Sequence, residues 1–357
     1  MKKRGIKNKK STAWPTVVDL FCGSGAVSEA LKKRHFKVVA AIDNDPVACA
    51  TYAANHPRVH LYKQDIRSVD PKTIRRVDLG GKDVDLLVVC APCQPFSNQN
   101  RKREGDARAD LILEAGRFAR VLKPRLIFFE NVPGLASPKN SELLCSLAEE
   151  LGAEYQLGEP YTIDAADFGV PQRRVRTIMF AAPHRLPSLP KPLTPPGARI
   201  TVRQALKGLS KLKAGERDPK DPLHAARNHQ PIALKRLGAI PRDGGSRAAL
   251  PRELELACHA KLSSKKYPDV YGRMRWNDVA PTLTTGCTDV TRGRFAHPEE
   301  DRAITLREAA LLQTFPSQYH FKGNLSEIAT QIGNAVPVAL LEALIPTFRA
   351  AIAGNAI

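Results

Sequence analysis

The sequence predicts an α/β fold in which a mostly parallel sheet forms the main domain and a second, smaller domain is inserted late in the chain. Short apolar runs alternate with helical stretches from residue 15 to residue 182. Continuous apolar strands separated by helices are typical of a parallel sheet covered on both faces. From residue 183 prolines crowd the chain, and the segment up to residue 271 is irregular and basic, which indicates a linker followed by a separate unit.

The elements of the main domain follow one another in a regular order. A buried strand is predicted over 16–21, a helix over 26–35, a second strand over 38–42, and a helix over 46–55 that has Pro46 at its first turn. Further predicted elements are strands over 84–89 and 126–129, a helix over 107–122, an antiparallel pair of strands over 155–163 and 175–181 at the sheet edge, and helices over 305–313 and 336–351.

Four regions are expected from this pattern. They are a basic tail (1–14), an α/β domain (15–182), a basic insert (183–271), and a C-terminal part that returns to the α/β domain (272–357).

Composition and charge narrow the class of protein. With 43% hydrophobic and 25% charged residues, the 357-residue chain is globular rather than disordered. Its formal net charge of +19 suggests a polyanionic partner such as a nucleic acid, and a ribosome-associated or simply basic protein remains the alternative. The 7 scattered cysteines indicate a reducing cytosol rather than a disulfide framework. No apolar run is expected to span a membrane.

A glycine turn follows the first predicted strand, in the sequence Asp19-Leu-Phe-Cys-Gly-Ser-Gly-Ala26. Gly23 and Gly25 would let a ligand approach the backbone at a helix N-terminus. Asp43 follows the second strand, where a carboxylate can accept hydrogen bonds from both hydroxyls of a ribose, and Asp65 ends the third strand region, where it can accept from an adenine amino group. The turn alone fits dinucleotide binding, adenosylmethionine binding or tight packing, and the acids at successive strand ends favour a ligand site.

Two reactive side chains are predicted on one rim of the sheet. Cys90-Ala-Pro-Cys93 follows the fourth strand, and Glu130-Asn-Val132 follows the fifth. A C-x-x-C sequence can indicate redox or zinc chemistry, but a second ligand pair is missing and we expect no metal. The alternative is that Cys93 is a nucleophile with a lowered pKa, and that Glu130 is a buried acid.

Six motifs, taken in order, resemble the signature motifs of the DNA (cytosine-5)-methyltransferase family. They are Asp19-Leu-Phe-Cys-Gly-Ser-Gly25, Pro92-Cys-Gln-Pro-Phe-Ser97, Glu130-Asn-Val132, Gln172-Arg-Arg-Val-Arg176, the run from Thr305 to Pro316, and Gln331-Ile-Gly-Asn-Ala-Val-Pro337. The resemblance covers residues 15–181 and about 272–340, and Ala26 departs from the glycine that is common in the family. It implies a Rossmann-like, adenosylmethionine-dependent methyltransferase sheet, with the basic insert as a target-recognition domain.

The resemblance also implies catalytic roles. Cys93 would attack carbon 6 of cytosine, and Glu130 would contact ring nitrogen 3 and the exocyclic amine. Arg174 and Arg176, on the edge strand, would hold the carbonyl of the flipped base and a nearby phosphate. Ser97 and Gln172 are assigned to substrate binding, as supports of the same loop.

S-adenosyl-L-methionine is the cofactor that the resemblance implies. Its expected binding residues are Phe21, Gly23, Gly25, Asp43, Asp65, Ile66, Pro92, Leu111, Asn334 and Val336. Cys22 and Cys90 lie inside matched motifs and are expected only to pack.

The expected partner is double-stranded DNA, with a cognate restriction endonuclease acting separately. We expect a cytoplasmic, nucleoid-associated monomer without membrane contact. Within the insert, Arg242-Asp-Gly-Gly-Ser-Arg247 is a candidate DNA-facing loop, with a solvated turn as the alternative. Three other functions stay open: a tRNA-methylating enzyme of the same fold, a catalytically inactive DNA-binding relative, and a nicotinamide-dependent dehydrogenase.

Overall fold

A computed structural model describes residues 14–92, 109–256, 258 and 267–355 of the chain. One 8-stranded sheet dominates it, in the order β3-β2-β1-β4-β5-β8-β6, with β7 also paired to β8. Strands β1 to β5 are parallel, and β8 runs antiparallel to β5. The expected α/β class with a mostly parallel sheet is confirmed.

The strands of this sheet are short and mostly buried. Their bounds are β1 Thr16–Leu20, β2 Lys37–Asp43, β3 His60–Lys63, β4 Leu86–Val89, β5 Leu126–Asn131, β6 Gln156–Leu157, β7 Tyr161–Asp164 and β8 Val175–Ala182. The predicted strand over 155–163 is two strands, β6 and β7, which both pair with β8. The predicted antiparallel pairing at the sheet edge is therefore confirmed, but β8 lies between β5 and these two short strands, so the prediction that Arg174 and Arg176 belong to the edge strand itself was wrong.

Helices cover both faces of the sheet. Their bounds are α1 Ala26–Lys33, α2 Pro46–Asn55, α3 Pro71–Val77, α4 Glu114–Leu122, α5 Ser141–Leu151, α6 Val202–Ala205, α7 Pro231–Ala239, α8 Leu306–Leu312, α9 Leu325–Asn334 and α10 Val338–Gly354. The helix predicted over 107–122 is a 3-10 turn, Ala109–Leu113, followed by α4. The sequence did not predict α3, α5, α6, α7 or α9.

Alternating side chains of the strands divide the core into two clusters. On one face Val17, Leu86 and Phe128 pack with α1 and α10. On the other face Val18, Leu87 and Phe129 pack with α4 and α5. This arrangement follows from the period of two along a strand, because successive side chains point to opposite faces.

The C-terminal stretch Leu325–Gly354 is, by length and composition, apolar enough to cross a membrane, which the sequence reading did not anticipate. It consists of α9 and α10, with Pro337 between them. Most of its apolar side chains are buried in the cluster that covers β1, β4 and β5, as shown by Phe348, which packs against the rings of Phe128 and Phe180.

The second, smaller unit has a core of its own. Leu237, Ile240 and Leu250 pack with Val290, Ala296 and Ala303. A short hairpin, β9 Arg217–Asp218 and β10 Asp221–Ala225, precedes it. The predicted boundary at residue 271 falls inside this small core, since the core draws on residues from 233 to 303.

Two buried arginines hold the small unit together. Arg273 is completely buried and donates hydrogen bonds to the carbonyls of Leu237, Ile240, His297 and Glu300, and to the carboxylate of Asp301. Arg302 is also completely buried and pairs with Glu300 and Glu308, the second of which lies on α8 of the main domain. Arg302 therefore connects the small unit to the main domain.

Candidate active site

A cavity of about 660 Å³ opens at the carboxyl ends of β1, β2, β4 and β5. Parallel α/β sheets bind ligands at this edge because the strand ends and the helix N-termini converge there. Nine of the ten expected cofactor residues line the cavity: Phe21, Gly23, Asp43, Asp65, Ile66, Pro92, Leu111, Asn334 and Val336. The exception is Gly25.

The glycine turn after β1 forms one wall of the cavity. Gly23 has φ +51°, and a Cβ there would meet no atom within 4 Å, so its backbone is open to a ligand. Gly25 has φ +93°, and a Cβ there would lie 2.7 Å from the His56 ring and 2.8 Å from the Tyr319 hydroxyl. A glycine is thus needed at position 25 because His56 and Tyr319 pack closely against it. The expected contact between Gly25 and a ligand is not supported, since Gly25 does not line the cavity.

The turn is supported from beneath by polar side chains. Asp19 is completely buried and accepts a hydrogen bond from the Ser28 hydroxyl at 2.7 Å. Burial raises the pKa of Asp19 to about 7, although the bond from Ser28 opposes the shift. His56 Nε2 lies 3.1 Å from the Gly25 carbonyl, and Tyr319 donates to the carbonyl of Ser24.

Two carboxylates lie at successive strand ends on the cavity wall. Asp43 Oδ2 accepts from the Gly23 N–H at 2.8 Å, and burial raises the pKa of this carboxyl. Asp65 follows β3 and forms a two-point ion pair with Arg67, with N–O distances of 2.6 and 2.9 Å. The Arg67 hydrogen bonds lower the pKa of Asp65 to about 2. Both carboxylates thus lie on the wall of the same cavity.

Glu130 and Arg176 meet at the other end of the cavity. Glu130 is at the end of β5 and Arg176 is in β8, and their antiparallel pairing brings Arg176 Nε to 3.0 Å from Glu130 Oε1. Both side chains are largely buried, with 9% of Glu130 and 11% of Arg176 exposed. The expected acid therefore lies in an ion pair that faces the cavity.

Arg174 and Gln172 take positions that the sequence did not predict. Arg174 is 2% exposed, and its guanidinium donates to the carbonyls of Leu283 and Gly333. Gln172 is completely buried and bonds with Gln313 and with the Leu283 N–H. Gln172 is not part of the cavity wall, and its buried hydrogen bonds are those of a supporting residue behind it. Arg174 does reach the cavity wall, while its guanidinium joins three chain segments.

Cys93 and Ser97 lie outside the described residues. The preceding residue, Pro92, lines the cavity beside Cys90 and Ala91. Cys90 is half-buried, and desolvation raises the pKa of its thiol well above the usual range. Such a thiol stays protonated and is a poor nucleophile.

One wall of the cavity was missed by the sequence reading. Ser326, Glu327, Thr330 and Gln331 of α9 line it together with Asn334. Their spacing of three and four residues is the pattern of one helix face, and it was visible in the sequence. In the part of the chain that the structure describes, no three His, Cys, Asp or Glu side chains cluster as a metal site.

Comparison with known proteins identifies the family of the chain. Residues 15–349 match the profile of the C-5 cytosine-specific DNA methylase family. The type II methylase M.HgiDII of Herpetosiphon aurantiacus is 39% identical over 332 residues, which cover 91% of this chain and 92% of the relative. The type II methyltransferase M.PspPI of Psychrobacter sp. is 33% identical and covers 92% of this chain and 77% of the relative.

Solved structures share the fold. A DNA modification methyltransferase encoded within an E. coli prophage superposes with a TM-score of 0.73 at 23% identity, over 94% of this chain and 99% of that one. The Entamoeba histolytica methyltransferase EhMeth superposes with a TM-score of 0.64 at 16% identity, over 94% of this chain and 98% of that one. From the profile match over most of its length and from these relatives, we conclude that the chain belongs to the C-5 cytosine-specific DNA methylase family and is a methyltransferase of that type.

Proposed function

We propose that this enzyme transfers a methyl group from S-adenosyl-L-methionine to carbon 5 of a cytosine flipped out of double-stranded DNA, as the modification enzyme of a type II restriction-modification system. The observation that carries the proposal is the shared cavity. One end holds the carboxylates of Asp43 and Asp65, and the other end holds the Glu130–Arg176 ion pair. A nucleoside cofactor and a second, planar base can therefore meet in one space.

The residues present fit the cofactor. Asp43 and Asp65 are acceptors for ribose hydroxyls and an adenine amino group. The space above Gly23 leaves its backbone accessible, while Phe21, Ile66, Leu111 and Val336 supply apolar contact and Asn334 an amide. When bound, S-adenosylmethionine supplies an electrophilic methyl group.

Cys93 starts the reaction by forming a bond from its sulfur to carbon 6 of the cytosine. This addition makes carbon 5 electron-rich, which divides one difficult substitution into easier steps. Carbon 5 takes the methyl group from the sulfonium sulfur, which would leave as a neutral thioether. A base then removes the carbon-5 proton, the electron pair of that bond re-forms the ring double bond, and the bond between carbon 6 and Cys93 breaks to release the thiolate. The base must leave the stacked duplex first, at a cost of a few kcal/mol.

Glu130 and Arg176 position the flipped base. The Glu130 carboxyl binds ring nitrogen 3 and the exocyclic amine, where hydrogen bonds strengthen as Cys93 adds to the ring. Arg176 donates to the carbonyl of the base and fixes the rotamer of Glu130 through the 3.0 Å contact. Arg174 and Gln172 support the rim through backbone contacts, and Ser97 is assigned to the loop that carries Cys93.

A trapping experiment tests the nucleophile. A duplex with 5-fluorocytosine at the target position should form an adduct that survives denaturing electrophoresis and requires S-adenosylmethionine, because fluorine cannot leave carbon 5 as a cation. Cys93→Ala should abolish both adduct and methylation but still bind DNA, because phosphate contacts lie elsewhere. Cys90→Ala is the matched control and should still trap. An adduct attached to Cys90, or one that persists in Cys93→Ala, would overturn the assignment.

Bisulfite sequencing of host DNA after expression of the chain tests the substrate and reveals the target sequence. Protection of that sequence from a type II endonuclease would identify the restriction partner. An RNA-methylating enzyme of the same fold is the second candidate. The small unit with its own core favours DNA, since sequence recognition in a duplex needs a surface beside the cavity. If expression of the chain methylates host RNA and leaves host DNA unmodified, RNA and not DNA is the substrate.

Glu130→Gln separates chemistry from binding. The amide keeps the shape of the side chain but loses its charge, so turnover should fall by about 10²- to 10⁴-fold while DNA affinity changes little. Equal losses in the two quantities would mark Glu130 as structural.

A further inference from the structure

The segment from Leu283 to Arg292 begins against the wall of the cavity. Leu283 accepts a hydrogen bond from Arg174, which lines the cavity. A Cβ on Gly333, another cavity residue, would lie 2.5 Å from the carbonyl carbon of Thr284. Leu283 and Thr284 therefore pack directly against two residues of the cavity wall, Arg174 and Gly333.

Within this segment Arg292 crosses directly over Gly286. A Cβ on Gly286 would lie 2.3 Å from Cδ of Arg292. Gly286 does not have a positive φ, so its backbone conformation would accept another residue. A glycine is needed here because a side-chain methyl group would collide with the Arg292 side chain. The glycine therefore sets the course of the Arg292 side chain.

Arg292 is exposed, and its guanidinium makes no ion pair within 4.0 Å with the residues that the structure describes, although its charge helps to lower the pKa of Asp289. The neighbouring arginines already form ion pairs, Arg227 with Asp289 and Arg294 with Asp269. The loop expected to face DNA is also committed, because Arg242 pairs with Asp301 and Arg247 donates to the carbonyl of Tyr267. Arg292 thus has donors available in a segment that begins against the cavity wall.

We propose that Arg292 reads a guanine next to the target cytosine by donating two hydrogen bonds to its major-groove edge, and that Gly286 sets the side chain for this contact. The proposal rests on the proposed function. Arginine matches O6 and N7 of guanine in two-point geometry, and this is the commonest specific protein–DNA contact. A side chain whose course is set by packing is better suited to such a fixed geometry than to a phosphate contact.

The test compares methylation of the cognate duplex with that of duplexes altered at each flanking base pair, for the wild-type enzyme and for Arg292→Ala, Arg292→Lys and Gly286→Ala. Arg292→Ala should reduce kcat/KM on the cognate duplex by roughly 10- to 100-fold and relax preference at one guanine position. Arg292→Lys keeps the charge but should lose most of the preference, since an ammonium lacks the planar fork. Arg252→Ala, an exposed arginine of the same unit, is the control and should keep the wild-type profile.

Gly286→Ala should resemble Arg292→Ala, and the double variant should be no worse than either, because both changes remove one contact. Circular dichroism and S-adenosylmethionine affinity identify any misfolded variant. A uniform loss over all sequences, with a salt dependence shallower by about one phosphate contact, would show backbone binding and overturn base reading. A wild-type profile in Arg292→Ala would also overturn it, while methylation by the wild-type enzyme would leave the proposed function intact.

Discussion

Arg302 gives the strongest stability prediction that the structure supports. Its guanidinium is completely buried and makes two hydrogen bonds of 2.8 Å to Glu308 and one of 2.8 Å to Glu300. It also donates to the carbonyls of Leu212 and Ala303. Burial raises the pKa of Glu308, but the hydrogen bonds and charge of Arg302 outweigh this and hold it below its usual range.

Arg302→Met removes the cation and leaves the Glu308 carboxylate buried without its main partner. Breaking a buried ion pair on one side costs about 3–5 kcal/mol, which is a large part of the 5–15 kcal/mol that stabilises a typical domain. The double variant Arg302→Met, Glu308→Gln should recover most of the loss, since the amide can still cap α8 at Thr305 without a buried charge.

Urea unfolding at pH 7, followed by circular dichroism, measures these free energies. The control is Arg120→Ala, which removes a surface ion pair whose side chains are 54% and 46% exposed. It should cost no more than about 1 kcal/mol. A loss below about 1 kcal/mol for Arg302→Met, or a double variant no more stable than the single one, would refute the reasoning.

Three further outcomes are expected. DNA affinity should fall steeply with salt, because the net charge of +19 implies several phosphate contacts, each adding about 0.9 to the log–log slope; a flat affinity between low and physiological salt would contradict DNA binding. Exchange of the small unit for that of a relative with a different target should change the methylated sequence only when the exchanged segment extends to residue 303. An exchange that stops at residue 271 divides the core that contains Leu237 and Ala303. Bisulfite sequencing measures the methylated sequence, and the melting temperature shows whether each hybrid protein is folded. His56→Gln should reduce the loss of stability between pH 7 and pH 4.5. Burial, with the charge of Lys32, lowers the pKa of His56 to about 4 in the folded protein. In the unfolded chain this pKa is near 6.5, so the unfolded chain binds the proton first as the pH is lowered. The free energy of unfolding therefore decreases as the pH falls from 7 to 4.5, by up to roughly 3 kcal/mol. Identical urea midpoints for both proteins at each pH would contradict this.

The end of the cavity that holds Asp43 and Asp65 could be predicted from sequence because each part of it is local. A buried strand, a glycine turn and a helix are adjacent in the chain, and the carboxyl ends of parallel strands meet at one edge. Asp43 and Asp65 therefore reach the same cavity as Gly23. Periodicity also gave the bounds of α2 without error, from Pro46 to Asn55.

The roles of single polar residues at the rim could not be predicted in the same way. Gln172, Arg174 and Arg176 are spaced two residues apart in one motif. The first two nevertheless form hydrogen bonds with Gln313, Leu283 and Gly333. These partners are more than 100 residues away in the chain. A motif gives the type of residue, but only the packed structure gives its hydrogen-bond partner.

The sequence by itself determined the α/β class, the order of the motifs and the cavity residues that follow the strands of the sheet, because those depend on patterns of a few residues and on the geometry of parallel strands. The tertiary structure alone decided that β8 is internal, that Gly25 serves packing against His56, and that the small unit extends to Ala303. It also decided which arginines are committed to ion pairs. The physical reason is that burial and pairing energies depend on partners that are close in space but distant in sequence, and no local pattern records them.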